Sequence, residues 1–172
     1  MATRARRAAG MLVLAAALPL TGCDDDGAIK DGGGKESAAA AVEAARSYQQ
    51  AMLDRDWRAA CEDRTERLRR SWGADTVAEC VEITDTPRLH DRPDARVSTG
   101  EAVEVDAFGP HPAGIGLRVT VEADTTARGM TLHTALRLVP GERGAWLVDQ
   151  AVNLDGAGSP GPDAVRAALR RK

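Results

Sequence analysis

The spacing at which apolar residues recur changes once along this chain, near Pro87. Before that point, apolar side chains lie three or four residues apart, as they do on one face of a helix. After it, apolar and polar residues alternate one by one, as in strands with one buried face. Helices followed by hairpin-connected strands predict an α+β fold, with N-terminal helices packed on one side of a single antiparallel sheet.

Three helices are predicted before the spacing changes. The first begins at Ser37, which can cap its N-terminus. Its inward stripe comprises Ala41, Ala45, Tyr48 and Met52. The second helix is capped by Asp56. Its inward face comprises Trp57, Ala60, Cys61, Arg64 and Leu68, with the arginine at the rim. The third begins at a capping box formed by Thr76 and Glu79.

The strands that follow are predicted from their alternation. Val97 begins a weak strand, residues 102–108 form another, and a turn is expected at residues 109–112. Three later strands are each predicted to have one mainly apolar face. Those faces are Leu117, Val119, Val121 and Ala123, then Met130, Leu132, Thr134, Leu136 and Leu138, and finally Trp146, Val148, Gln150, Val152 and Leu154. Residues 155–172 are expected to form a flexible, loosely attached tail with a possible short helix.

The first 22 residues have the order of a bacterial export signal. A basic start precedes a short apolar run and small residues before Cys23. The apolar run holds about ten residues, half of the roughly twenty that a membrane-spanning helix needs. Residues 20–23 resemble the bacterial lipobox, which implies cleavage before Cys23, acylation of that residue and a lipid anchor on the extracytoplasmic face of the cell membrane. The alternatives are a soluble secreted protein and an uncleaved core helix.

Cleavage would leave a single domain. Residues 23–36 are rich in glycine and charge and predict a flexible tether, and residues 37–154 are long enough for one core. The signal removes three of the 23 basic residues, so 20 remain against 26 acidic ones, a net charge near −6. Such a chain lacks the concentrated basic charge with which proteins bind nucleic acid.

Two cysteines remain in the predicted domain, Cys61 and Cys80. In an oxidising compartment they are expected to form a disulfide, which closes a loop of about twenty residues and contributes about 3 kcal/mol to stability. Two free buried thiols rank second. A metal site ranks last, because neither a CxxC spacing nor nearby histidines accompany the pair. No metal and no cofactor are predicted.

Two segments of the sequence resemble the nuclear transport factor 2-like superfamily. Residues 48–61 carry a helix, a break at Asp54–Arg55–Asp56–Trp57 and an Ala-Cys step, and residues 144–149 read Gly-Ala-Trp-Leu-Val-Asp. The resemblance implies a curved sheet that wraps the helices into a cone with a pocket at its open end. That fold serves enzymes and binding modules alike, so the resemblance does not select a function.

Candidate catalytic residues are few. Asp106, His133 and Asp149 are polar strand residues that could act as acid or base in such a pocket. His90 and His111 are expected at the surface. The sequence contains no dinucleotide-binding, phosphate-loop, zinc-protease or serine-hydrolase motif.

The expected function is a non-catalytic binding or accessory role at the cell envelope, with the membrane contacted through the lipid on Cys23. A small apolar ligand would occupy the cone. Its predicted lining is Val119, Val121, Leu132, Leu136, Trp146 and Val148. One alternative is an interaction module that docks an envelope protein through its sheet. Another is an isomerase-like or dehydratase-like enzyme that uses a pocket aspartate and histidine.

Overall fold

The structure, a computed structural model, describes residues 31–85, 94–123, 130–154 and 160–171. The helices are α1 (Asp31–Asp54), α2 (Trp57–Glu62), α3 (Glu66–Ser71), α4 (Val77–Thr84) and α5 (Pro162–Ala168). The strands are β1 (Arg96–Thr99), β2 (Val103–Val105), β3 (Gly114–Ala123), β4 (Met130–Pro140) and β5 (Trp146–Asn153). Helices on an antiparallel sheet confirm the α+β class. The signal segment, Cys23 and His90 lie outside the described residues.

The sheet has the order β1-β3-β4-β5, and β2 shares one edge of β3 with β1. Thr99 pairs with Val119 and Val103 pairs with Gly116, so the stretch from β1 to β2 holds one residue more than the stretch of β3 that it faces. The extra residue turns the following side chains to the other face. Val97 therefore packs with the helices, whereas Val103 packs on the opposite side of the sheet.

The main core lies between α1 and the sheet. Its fully buried members include Ala41, Ala45, Leu117, Leu136 and Leu138. The small alanines of α1 let the helix lie close to the larger sheet side chains. Complete burial of a leucine contributes about 2 kcal/mol, so this interface is a main source of stability. The predicted inward faces of the first helix and of residues 117–119 are confirmed.

Helix α1 begins at Asp31, ahead of the predicted start at Ser37 and inside the predicted tether. Asp31 and the three glycines that follow it are poor helix formers, which is why the sequence pattern predicts a helix only from Ser37. Within the described ranges, no helix is both long enough and apolar enough to cross a membrane.

The second predicted helix is in fact two helices, and that prediction is wrong. Residues 63–65 leave helical geometry and pair with β5, since the amide of Val148 donates to the carbonyl of Asp63 and the amide of Thr65 to that of Val148, at 2.8 and 2.9 Å. The Thr65 hydroxyl then caps α3 by accepting from the amide of Leu68 at 3.2 Å. The break places Arg64 inside the protein, fully buried, rather than at the rim.

A β-bulge interrupts the last strand. Leu138 of β4 pairs with Val148, but its neighbour Arg137 pairs with Gln150, so Asp149 has no partner opposite it. An extra residue reverses the alternation that follows it. The prediction that Gln150, Val152 and Leu154 share a face with Val148 is therefore wrong. Val152 instead packs in the second core, on the opposite face.

Helix α5 covers that opposite face, and the prediction of a loosely attached tail is wrong for this helix. Val165 and Leu169 are buried against Val103 and Val105. Gly116 makes this packing possible, because a Cβ atom there would lie only 2.9 Å from Cδ1 of Leu169. Val165, Ala168 and Leu169, the residue after the helix, face the sheet together, and their burial docks the helix.

The predicted disulfide and two predicted helix starts are confirmed. Cys61 and Cys80 are bonded, with their Cα atoms 6.0 Å apart, and join α2 to α4. Asp56 caps α2 by accepting from the amide of Ala59. Thr76 and Glu79 form the reciprocal capping box of α4.

Candidate functional site

The carboxylate of Asp149, the bulge residue of β5, is fully buried and is held by three donors. The Thr65 hydroxyl donates to its Oδ1 atom at 3.0 Å. Arg67 forms an ion pair with the same oxygen. Nδ1 of His111 lies 2.8 Å from Oδ2. A buried carboxylate with this many partners is well satisfied, and it fixes the positions of the three side chains around it.

The two irregular segments of the chain explain why these residues meet. Because residues 63–65 pair with β5 at the bulge, Thr65 and Arg67 at the start of α3 lie directly beside Asp149. His111 comes from the predicted turn, which is confirmed: Phe108 and His111 exchange two backbone hydrogen bonds, of 2.9 and 3.0 Å. Gly109 closes that turn with a φ of 57°, in the left-handed region that favours glycine.

The expectation that His111 is a surface residue is wrong. Its side chain is only 19% exposed. Burial lowers its pKa from the usual 6.5, and the positive charges of Arg67 and Arg137 lower it further. The imidazole is therefore neutral at neutral pH. A carboxylate can only accept, so Nδ1 carries the proton and Nε2 keeps a lone pair.

Arg137, on β4, is fully buried behind this cluster. Its guanidinium donates to Oε1 of Gln150 at 3.2 Å and to three backbone carbonyl oxygens. The carbonyls belong to Asp106, Pro112 and Leu169, at 2.7, 2.8 and 3.0 Å. Burial lowers its pKa, as does the charge of Arg67, while Asp106 opposes the shift. Arg137 thus ties the turn of His111 to the end of α5.

A groove of about 260 Å³ opens over the cluster, between α3, β5 and the residues after α5. Its lining includes Arg67, Trp72, His111, Asp149, Gln150 and Arg171. The polar groups come from separate elements, and Arg67 and His111 are both held by the buried carboxylate of Asp149. This is the arrangement of a site formed before its ligand arrives.

The other two candidate residues lie elsewhere. The exposed carboxylate of Asp106 forms an ion pair of 2.9 Å with Arg170. His133 lies within 2.9 Å of the Thr120 hydroxyl, on β4 and β3. Neither residue lines the groove over Asp149. In the parts of the chain that the structure describes, no group of three or more histidine, cysteine, aspartate or glutamate side chains could hold a metal ion.

Arg64 is a second buried cation that sequence patterning did not identify. It donates to the hydroxyl of Tyr48 and to Sγ of Cys80, both at 3.2 Å. Its guanidinium carbon also lies 4.1 Å from the ring centre of Trp72, at the groove. Among the described residues no carboxylate pairs with it, so aromatic and sulfur contacts take the place of a counter-ion.

The six residues predicted to line a cone do not line the groove, and the prediction is wrong for Leu132, which is 45% exposed. Val119, Leu136 and Val148 are buried in the core beneath α1, whereas the groove opens at the edge of β5. The chain matches no protein-family model, and neither a curated protein nor a solved structure matches it.

Proposed function

We propose that this protein is a lipid-anchored binding module on the extracytoplasmic face of the cell membrane, and that its ligand occupies the groove over Asp149. The observation that carries the proposal is the cluster at the groove floor. Thr65, Arg67 and His111 reach one buried carboxylate from two separate segments of the chain. Functional polar groups held in this way keep their geometry without a ligand, which lowers the entropic cost of binding one.

The compartment and anchor are part of the same proposal. The export signal and the lipobox at Cys23 support them. The Cys61–Cys80 disulfide is consistent with an oxidising space outside the cytoplasm. We further propose that the domain is a variant of the nuclear transport factor 2-like fold. In its support, α1 packs across an antiparallel sheet that is interrupted at Asp149, where bulges commonly bend a sheet.

The groove also suggests where to test for a ligand. Ser71, the last residue of α3, lines it and is exposed, so Ser71→Trp should fill it without disturbing the core. Ser98 is exposed on β1, at the opposite edge of the sheet, so Ser98→Trp is a matched control.

Native mass spectrometry of full-length protein purified in mild detergent provides the readout. We expect a co-purified small molecule on the wild type and on Ser98→Trp, and its loss from Ser71→Trp. Retention of the molecule by Ser71→Trp, or a wild-type protein with no bound molecule, would contradict a ligand site in this groove.

A second candidate function is an enzyme that uses His111 as a general base. The contact of 2.8 Å between its Nδ1 and Asp149 favours this candidate, because a carboxylate that orients a neutral imidazole leaves Nε2 ready to accept a proton. His111→Asn separates the two functions. In an enzyme, the wild type would convert the bound molecule and His111→Asn would not. In a binding module, the bound molecule would have the same mass after incubation with either protein.

A further inference from the structure

We propose that the ligand of this groove carries an anionic group, a carboxylate or a phosphate, which Arg67 and Arg171 hold. This inference rests on the proposed binding function and adds the chemical class of the ligand. Two observations support it: the net charge of the groups around the groove, and the hydrogen-bond and ion-pair partners of each arginine there.

Three arginines lie at or directly behind the groove, Arg67, Arg137 and Arg171, together with one carboxylate, that of Asp149. Arg170 is paired with Asp106 away from the groove, and Arg67 is paired with Asp149. The remaining arginines are Arg137 and Arg171, and neither has a carboxylate partner among the described residues. With His111 neutral, three positive charges face one negative charge, so the described residues give the site a local charge near +2. The chain as a whole is acidic, so the positive charge at the groove is opposite in sign to the net charge of the protein.

Arg171 is the cation best placed to meet a ligand. It follows α5 directly and its exposed side chain lines the groove. Its backbone carbonyl accepts a hydrogen bond of 3.4 Å from Nε2 of Gln150, which fixes the chain at this point. Within the described part of the chain its guanidinium has no hydrogen-bond partner, so all of its donors remain available.

Arg67 supplies the second contact. Its side chain is 35% exposed, and only its Nη2 atom is used in the ion pair with Asp149. Its Nη1 atom has no partner in the described ranges. Asp149 holds the guanidinium in place, so Nη1 is positioned to donate to an oxygen of a carboxylate or phosphate.

Arg137, buried on the far side of the Asp149 cluster from the groove, adds positive charge that favours an anionic ligand. It is fully buried, and its direct partners are the neutral oxygens of carbonyls and of Gln150. A buried charge without a counter-ion projects its field into nearby space, where water screens it poorly. A cationic ligand would be repelled by three guanidinium groups, whereas an anion would offset part of their charge.

Isothermal titration of full-length protein in detergent, at constant ionic strength, tests the proposal with two probes, inorganic phosphate and acetate. We expect saturable binding of at least one probe. Saturation by one alone would identify which anion the ligand carries. Arg171→Gln should weaken that binding about tenfold, the effect of removing one charge-assisted contact. Arg170→Gln removes the same charge from the neighbouring residue, outside the groove, and should leave binding unchanged.

Two results would overturn the inference. One is the absence of saturable binding of either probe. The other is an equal loss of affinity in Arg170→Gln and Arg171→Gln, which would mean that only the general surface charge attracts anions. The binding function would survive both if Ser71→Trp still abolished a co-purified molecule that neither anion displaced. The two proposals can therefore fail separately.

Discussion

The imidazole of His111 and the carboxylate of Asp149 lie 2.8 Å apart although 38 residues separate them in the chain. One belongs to a tight turn before β3 and the other to a bulge in β5. Their contact joins two irregular segments that no regular pairing of strands would bring together. Because Arg67 contacts the same carboxylate, the start of α3 is held in the same cluster.

The lowered pKa of His111 predicts that the protein loses stability in mild acid. The folded-state pKa lies below 6.5, so between that value and 6.5 the unfolded chain binds more protons than the folded chain. Stability should therefore be complete above pH 6.5 and fall as the pH drops towards the folded-state pKa. Urea unfolding at a series of pH values from about 7.5 to about 5 measures this dependence.

Substitution of the histidines shows which side chain causes the loss of stability in mild acid. His111→Asn should flatten the decline between pH 6.5 and the folded-state pKa, because its side chain does not titrate. His133→Asn, made in a histidine whose side chain lies against Thr120 and away from the cluster, should keep the decline. An unchanged slope in His111→Asn would rule out His111 as its source.

Asp149→Asn should destabilise the fold strongly. The substitution leaves Arg67 beside a neutral amide and removes an acceptor from the buried cluster, and loss of one partner of a buried ion pair costs about 3 kcal/mol. Chemical denaturation measures the change in the free energy of unfolding. Asp106→Asn, which breaks the exposed pair with Arg170, should stay close to the wild type. Similar stabilities for the two variants would mean that the cluster contributes little.

Leu169→Ala tests the docking of α5. Leu169 is fully buried in the second core, and truncation of such a leucine costs about 3 kcal/mol through lost contacts and the cavity left behind. Arg166→Ala, on the exposed face of the same helix, should leave the unfolding midpoint close to the wild type. A mild effect of Leu169→Ala, equal to that of Arg166→Ala, would restore the view of a loosely attached tail.

Loss of the Cys61–Cys80 disulfide should lower the free energy of unfolding by about 3 kcal/mol, because the crosslink restricts the unfolded chain. The double variant Cys61→Ala, Cys80→Ala measures this in urea. A reductant should bring the wild type down to the stability of the double variant and leave the variant unchanged. A reductant effect on the double variant would show that the loss has another cause.

Local signals in the sequence predicted the parts of the fold that depend on neighbouring residues. The caps at Asp56 and Thr76 and the turn around Gly109 act within a few residues, so their chemistry can be read directly. The disulfide was predicted from the two cysteines of the domain and from the oxidising compartment that the export signal predicts. The alternation of residues 117–119 was likewise sufficient to identify the face that packs against α1.

The candidate site depended on features without a local signal. The bulge at Asp149 and the break at residues 63–65 arise from pairing between distant segments, and neither interrupts the apolar pattern of its own segment. The sequence pattern predicts Asp149 as a candidate because it is a polar residue in a strand. It does not predict the partners Arg67 and His111, because they meet Asp149 only through the bulge and the break. The prolines on both sides of His111 indicated a rigid turn, yet only the position of β5 determines what that turn faces.

Intact mass spectrometry of the protein purified from the membrane fraction of its native host tests the proposed anchor most directly. The result we expect is a chain that begins at Cys23, carries a diacylglycerol group on that residue, and is two hydrogens lighter than the sum of its reduced residues because of the disulfide. A polypeptide that still begins at Met1, without lipid and with both domain thiols reduced, would contradict a lipid-anchored module outside the cytoplasm.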